Sequence, residues 1–282
     1  MDNKRFSKNL IFAFSAQGIS LVFSILMSLI VPKMLGVEQF SYWQLFIFYG
    51  NYVGFFHFGL SDGIYLRYGG TNIENFNKAH IVSQFRLMIM LQIILCIAIL
   101  PLVINVIPIW ERQFVWLISG IYLIVANATW YWGYVFQAAN KTSIYSTSVI
   151  LSKVIFVVFI LLMFVVKPNT FIPFVVFYVF AQAIALVYVL IKAKEFLFIK
   201  QLPLIETISE ATQNIRIGIN LTISNVASNL ILGVGRKMVD ASAGISSFGM
   251  LSLAVSLTSF FLQFISQVSM VMFPALRQIN NK

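Results

Sequence analysis

The sequence has 282 residues, is 60% hydrophobic and carries charge on only 10% of them, against about 25% in an ordinary soluble domain. A mean hydropathy of +0.89 is more than a soluble core of this size can hide, which excludes a soluble enzyme or adaptor and points to a polytopic membrane protein. The net charge of +10 would suit a nucleic-acid partner, but the cations are distributed as membrane insertion requires, and no nucleic acid is expected.

Apolar runs of about 20 residues, long enough to cross a bilayer, recur at roughly 9–31, 40–60, 82–104, 114–136, 144–166, 171–191, 214–235 and 247–273, each closed by charge, Pro, Gly or Asn. The predicted fold class is therefore all-α, a polytopic transmembrane helix bundle of about eight spans. The first run follows MDNKRFSKN, is too long for a signal-peptide core and has no small-residue cleavage site after it, so it reads as an uncleaved anchor. Of the 19 Lys and Arg residues, only Lys33, Arg112, Lys167, Arg236 and Lys237 fall on one side of this topology, and the rest fall on the other. The positive-inside rule then places both termini in the cytoplasm. The longest loop, 192–213, reads as a weakly amphipathic cytoplasmic connector. The single cysteine, Cys96, lies in an apolar run and rules out an intramolecular disulfide.

An internal repeat organises these spans. Shifting span seven onto span one by about 204 positions superposes Ile19, Ser20, Ser24, Lys33 and Met34 on Ile223, Ser224, Ser228, Lys237 and Met238. Six spans separate the two copies, so both run in the same direction, as in parallel repeats of six-helix halves. The expected organisation is a complete first six-helix lobe over 1–191, a cytoplasmic connector over 192–213, and the first two helices of a second lobe over 214–282.

Polar side chains in lipid turn toward a bundle interior or a cavity. Span one carries Gln17, Ser20, Ser24 and Ser28. Span two carries Gln44, Asn51 and Asp62 near Gly50-x-x-x-Gly54, and span four carries Gly120, Asn127, Tyr134 and Gln137. Gly218, Thr222, Asn225, Asn229, Gly233 and Arg236 follow one another on one face of span seven, and Ser252, Ser256, Ser259, Gln263 and Gln267 recur similarly in span eight. Helix packing through small and hydrogen-bonding residues explains many of these positions. Stripes on so many helices also predict a hydrated central cavity. Lys153 lies about ten residues into span five, roughly 15 Å along its axis, and either lines that cavity or snorkels to the interface. Arg236 either lines the cavity or anchors the outer interface. Asp62 and Arg67, in GLSDGIYLRYGG, form either a mutual pair or part of an ion-coupling site, and His57 reads as a packed residue. No D-x-D, Walker A, H-E-x-x-H or Cys/His cluster occurs. Neither a cofactor nor a metal nor catalysis is expected.

VPKMLGVEQFSYWQLF followed by FGLSDGIYLRYGG resembles the polysaccharide-export flippases, the O-antigen and teichoic-acid exporters of the multidrug/oligosaccharidyl-lipid/polysaccharide (MOP) superfamily. Leu35, Gly36, Phe40 and Ser41 fit the first connector of that family, with Ser in place of its last Gly. Gly235, Arg236, Met238, Phe248 and Gly249 resemble the end of its seventh span, with Gly in place of Asp, and FPALRQ (273–278) resembles the end of its eighth. The resemblance implies two six-helix lobes around a cationic cavity and alternating access. It also implies an undecaprenyl-pyrophosphate-linked oligosaccharide, an O-antigen or capsule repeat unit, carried across the bacterial inner membrane, with polymerase or glycosyltransferase partners. Lys153 and Arg236 are then the expected pyrophosphate ligands, and Asn225, Asn229, Asn127, Gln17 and Asn51 complete the candidate lining. The family normally has twelve or more spans, so eight suggest a fragment or a shortened, even non-functional, product. A cation-coupled exporter of drugs or small solutes on the same fold is the main rival, and it would need an acid such as Asp62.

Overall fold

The computed structural model describes residues 3–280, with side chains within 15–258 apart from Ala16, Gln17, Leu21, Leu26 and Ser228. All regular elements among them are helical: α1 (Asn3–Met34), α2 (Val37–Gly50), α3 (Leu60–Tyr68), α4 (Lys78–Val106), α5 (Trp110–Ala138), α6 (Thr142–Val166), α7 (Ile172–Lys192), the short α8 (Lys194–Leu197) and α9 (Leu204–Asn280). Helices α4 to α7 follow the predicted spans closely. Their ends carry the expected signals: the Asn77 side chain caps α4 by accepting from the His80 N–H at 3.2 Å, Lys167 in a left-handed conformation ends α6, and proline opens α7.

Five described stretches are long and apolar enough to cross a membrane: Lys78–Val106, Trp110–Ala138, Thr142–Val166, Ile172–Lys192 and Asn229–Thr258. The remaining predicted spans differ for identifiable reasons. Span one contributes the shorter apolar segment Gly18–Met34. Span two is broken: α2 stops at Gly50, a single 3-10 turn covers Val53–His57, and Phe58 and Gly59 adopt positive φ before α3 begins. A broken helix at membrane depth needs substitutes for its lost backbone bonds. Asn127 Nδ2 donates to the Val53 carbonyl at 2.9 Å and Gln92 Nε2 to the Phe56 carbonyl at 3.3 Å. The Gly59 N–H donates to His57 Nδ1 at 3.0 Å.

The fifth stretch is not one straight crossing, because α9 reverses at Gly244, where φ is 80° and ψ 178°. Arg236 Nε and Ser252 Oγ, 16 residues apart, meet at 3.0 Å, whereas a continuous helix would hold them about 24 Å apart. α9 is thus a hairpin of two arms, as predicted for spans seven and eight. Its first arm begins earlier than expected, within the connector. There Glu210 accepts from Arg67 at 2.8 Å and lies 3.3 Å from His80 Nδ1, while Asn214 Nδ2 donates to Gln84 Oε1 at 2.8 Å. Burial alone would raise the Glu210 carboxyl, but the bonds from Arg67 and His80 outweigh it and hold the group below the usual carboxylate range.

Two apolar clusters hold the bundle. One, of aromatics from α2, α5, α6 and α7, stacks Trp43 on Phe156 and turns the edge of Tyr178 toward Phe156. The other gathers Ile64, Ile81, Tyr131, Trp132, Phe136, Val189 and Phe196 nearer the connector. Outward-facing Ile94, Ile97, Leu102, Val158, Leu161 and Val165 are exposed, as a lipid-facing surface requires.

Candidate substrate cavity

A close backbone-to-backbone contact sets the position of α9. A Cβ added at Gly63 would collide with the Asn214 backbone, and one at Gly218 would collide with the Gly59 carbonyl. Gly59-x-x-x-Gly63 of α3 and Gly218 of α9 thus let two backbones touch, the small-residue contact favoured between membrane helices. This brings the first arm of α9 alongside the break in span two and encloses a polar space against α1, α2, α5, α6 and α7.

That space is a cavity of about 570 Å³. Gln137, Thr142, Tyr145 and Ser146 line it near the α5–α6 turn, and Asn51, Ser152, Lys153, Gln182 and Asn229 line it farther along, with Trp130 and Tyr178 among its walls. Lys153 is the only formal charge among the described lining residues. Its Nζ lies 4.1 Å from the Phe23 ring centroid and 5.8 Å from that of Tyr178, the geometry of cation–π attraction. Among the described residues no carboxylate pairs with it. A second cavity of about 280 Å³ adjoins the first, sharing Trp130 and Tyr145, and is lined also by His57, Asp62, Tyr134, Thr222 and Asn225.

The predicted lining residues separate into groups. Lys153, Asn51 and Asn229 line the larger cavity, and Asn225 lines the smaller. The Gln17 side chain lies outside the described residues, as do those of Ser259, Gln263, Gln267 and the FPALRQ motif. Asn127 is buried with its amide engaged by the Val53 carbonyl, so it repairs the break in span two and faces neither cavity. Arg236 is also buried away from both. Its guanidinium carbon lies 5.0 Å from the Phe48 ring and 5.3 Å from that of Phe248, its Nε donates to Ser252, and Nη2 has no partner among the described residues. A buried arginine held by stacking and one hydrogen bond contributes chiefly packing. Arg236→Met is accordingly expected to leave thermal stability near that of the unaltered chain, and Arg236→Ala to lower it by about 2 kcal/mol through the space it opens between the two rings. Parallel unfolding curves of the two variants in detergent check this.

Asp62 and Arg67 do not pair. Five positions apart on one helix, they point about 140° from each other; Arg67 binds Glu210, and Asp62, 2% exposed, accepts from Thr222 at 2.6 Å. Lys237 and Asp240, which follow Arg236 in a stretch that reads as a solvated connector, do not both face solvent. The Asp240 carboxylate is buried, with Lys237 Nζ at 2.7 Å and both Arg112 terminal nitrogens in contact. On α6 sequence reasoning found Lys153 but overlooked Thr142, Ser146 and Val149, which lead to it at steps of four, three and four on one helical face. It also overlooked Gly59-x-x-x-Gly63.

Comparison with known proteins agrees with this architecture. Residues 6–280 match the model of a family described as polysaccharide biosynthesis protein. No curated protein matches the chain. Among solved structures, a MOP superfamily transporter from Pyrococcus furiosus, described as having a binding pocket of reverse polarity that suggests a different function, is similar with a TM-score of 0.64 at 11% identity. The match covers 94% of this chain and 61% of that transporter, so the chain spans less than two thirds of its length. Identity this low conveys the fold alone.

Proposed function

This chain belongs to the polysaccharide biosynthesis protein family and shares the fold of a MOP superfamily transporter, and on that premise we propose that it is a multi-pass membrane transporter that moves a lipid-linked oligosaccharide across the cytoplasmic membrane. The observation that carries this reading is the polar cavity whose single described charge is Lys153, flanked by aromatic faces and unmatched by a carboxylate. An undecaprenyl-pyrophosphate headgroup supplies the missing anion. The amide, hydroxyl and aromatic groups of Asn51, Gln137, Gln182 and Trp130 suit the hydroxyls and apolar faces of sugar rings. A snorkelling role for Lys153 is the weaker alternative, because its ammonium stays over Phe23.

The same placement supports a reading of alternating access. With both termini in the cytoplasm of a bacterial cell, the α5–α6 end of the cavity faces inward, and Lys153 lies about 16 Å deeper along α6. Residues 1–191 form the first lobe in this reading, 192–213 the connector and 214–282 the opening hairpin of a second. Glycosyltransferases that build the repeat unit and a polymerase that consumes it, for O-antigen or capsule, are the natural partners.

The test is translocation of a fluorescent polyprenyl-pyrophosphate oligosaccharide in vesicles holding this chain. Lys153→Ala is expected to reduce translocation about ten-fold or more, the equivalent of losing a charge-assisted hydrogen bond worth roughly 1.5–3 kcal/mol. Lys153→Arg is expected to retain most of it. Undiminished translocation by the alanine variant removes Lys153 from the mechanism.

A further inference from the structure

A second large hollow, of about 640 Å³, lies among α2, α4, α5 and the first arm of α9. It is separate from the cavity that holds Lys153. Phe46, Ile47, Gly50 and Asn51 of the span-two segment line that cavity, whereas Phe48, Tyr49, Tyr52 and Val53 line this hollow. The Tyr52 hydroxyl donates to the Asn229 carbonyl at 3.2 Å and closes the seam between the two spaces.

The walls have the chemistry of a hydrocarbon site. Leu95, Ile99, Val103, Leu123, Ile124 and Leu230 are among them. Gly120 keeps the α5 wall shallow, since a Cβ there would meet only Cys96, at 3.4 Å. Ile97, Leu100, Leu117 and Ile121 line the hollow and are also exposed, so it opens sideways to the lipid-facing surface. An apolar hollow of this kind stays dry and takes an apolar guest.

Its depth identifies the guest. The lining runs from Leu95 to Val103 on α4 and from Leu230 to Lys237 on α9, about 12 and 10 Å along the two axes. One leaflet contributes about 15 Å of hydrocarbon. The slot therefore suits an acyl chain from the leaflet at the Gly244 end of α9. A polyprenyl chain is far longer than one leaflet and does not match it.

The headgroup end is marked as well. Lys237 is the only formal charge among the described lining residues. Its Nζ donates to Asp240 at 2.7 Å and is half-exposed, which leaves further N–H groups for a second anion. The Tyr49 hydroxyl interacts with Lys237, and the Tyr49 ring packs on Trp116 at 4.7 Å. Tyr, Trp and Lys together are the residues of a membrane–water interface. The charges that act on Tyr49 are Lys237, Asp240 and Arg112, two cations and one carboxylate, a net +1. Glu38 and Glu111 act instead on Tyr42, two turns earlier in α2. Ser119, three residues deeper than Trp116, has a buried hydroxyl with no partner among the described residues.

We propose that this hollow binds one anionic phospholipid. An acyl chain fills the slot, the phosphate meets Lys237, and the Ser119 hydroxyl donates to an ester carbonyl. The single phosphodiester charge balances the net charge of Arg112, Asp240 and Lys237. The chain fills the gap between α9 and the α4–α5 pair, so the lipid braces the arm of α9 that carries Asn229.

The experiment offers the purified chain an equimolar mixture of phosphatidylglycerol, phosphatidylcholine and undecaprenyl phosphate in detergent, and reads the retained lipid by native mass spectrometry. Phosphatidylglycerol is expected to be retained in preference to phosphatidylcholine by about two- to five-fold, the contribution of one half-exposed charge. Lys237→Ala should bring these two lipids to parity. Gly120→Leu, which fills the slot, should lower retention of both, and Val234→Phe does so from the α9 side if the first variant does not fold. Equal retention of the two phospholipids by the unaltered chain, a preference that survives Lys237→Ala, or undiminished retention in the filled slot overturns the site. Preferential retention of undecaprenyl phosphate overturns the phospholipid as its occupant. Translocation is not measured, so the site stands or falls apart from the role of Lys153.

Discussion

Replacing Gly218 with leucine is expected to abolish the stable fold, with a loss of at least about 3 kcal/mol. The reason is geometric. A Cβ at this position meets the Gly59 carbonyl and the Gly63 amide, both backbone groups, so no rotamer change relieves the overlap. The helices must separate, and separation removes the Thr222–Asp62 bond and pulls α9 from the network of Arg67, Glu210, Asn214 and Gln84. Gly63→Leu should behave alike, because its Cβ meets the Asn214 backbone from the opposite side. Gly235→Leu is the control: it lies on the same arm of α9, its Cβ has nothing within 4 Å, and leucine is the better helix former. Unfolding curves in detergent and the yield of membrane-inserted protein distinguish these cases. A Gly218→Leu protein that melts with the unaltered chain would mean that the close α3–α9 contact does not hold the bundle.

That contact also shows where a membrane sequence is legible and where it is not. Hydropathy and charge asymmetry suffice for helices α4 to α7, since each is a long apolar run closed by polar residues. The reversal at Gly244 lies inside GRKMVDASAGISSFG, where the sequence places an outer connector. The break in span two is different. Phe46 to Phe58 read as one mainly apolar run in which Asn51 and His57 do not announce a stop, and the groups that make the break tolerable, Asn127 and Gln92, come from helices far along the chain. A stripe argument saw Asn127 as lining because it registers polarity and cannot register a partner. A mutual Asp62–Arg67 pair, one of the two readings their spacing allows, fails for the same reason, proximity in sequence standing in for direction on a helix. Lys153 was identifiable because a charge so far from a helix end is costly and needs a cavity or an aromatic face. Arg236 stands out in the sequence because it closes the polar face of span seven, as cavity lining or interfacial anchor, yet aromatic rings and Ser252 enclose it.

Asp240→Asn is expected to cost about 2–4 kcal/mol, the second large effect. The carboxylate is 2% exposed and holds Arg112 through two contacts and Lys237 through a third. Breaking a buried pair by removing one partner leaves uncompensated charge, typically at 3–5 kcal/mol. Water reaches the cations more readily, with Arg112 20% and Lys237 51% exposed, and this lowers the figure. Lys237→Ala should change stability by no more than about 1 kcal/mol, since an exposed lysine adds little to a bond that Arg112 already makes. Arg112→Lys should fall between, because an ammonium cannot reproduce the two-pronged grip of a guanidinium. A double-mutant cycle combining Arg112→Met with Asp240→Met separates charge from packing. If the pair acts as an ion clamp between the start of α5 and the first arm of α9, the double variant should be more stable than Arg112→Met alone, because the buried carboxylate that Arg112→Met leaves with only the half-exposed Lys237 is gone. Additive losses would show instead that each side chain holds its helix by packing, and that the Gly244 end of α9 is not clamped by charge at all.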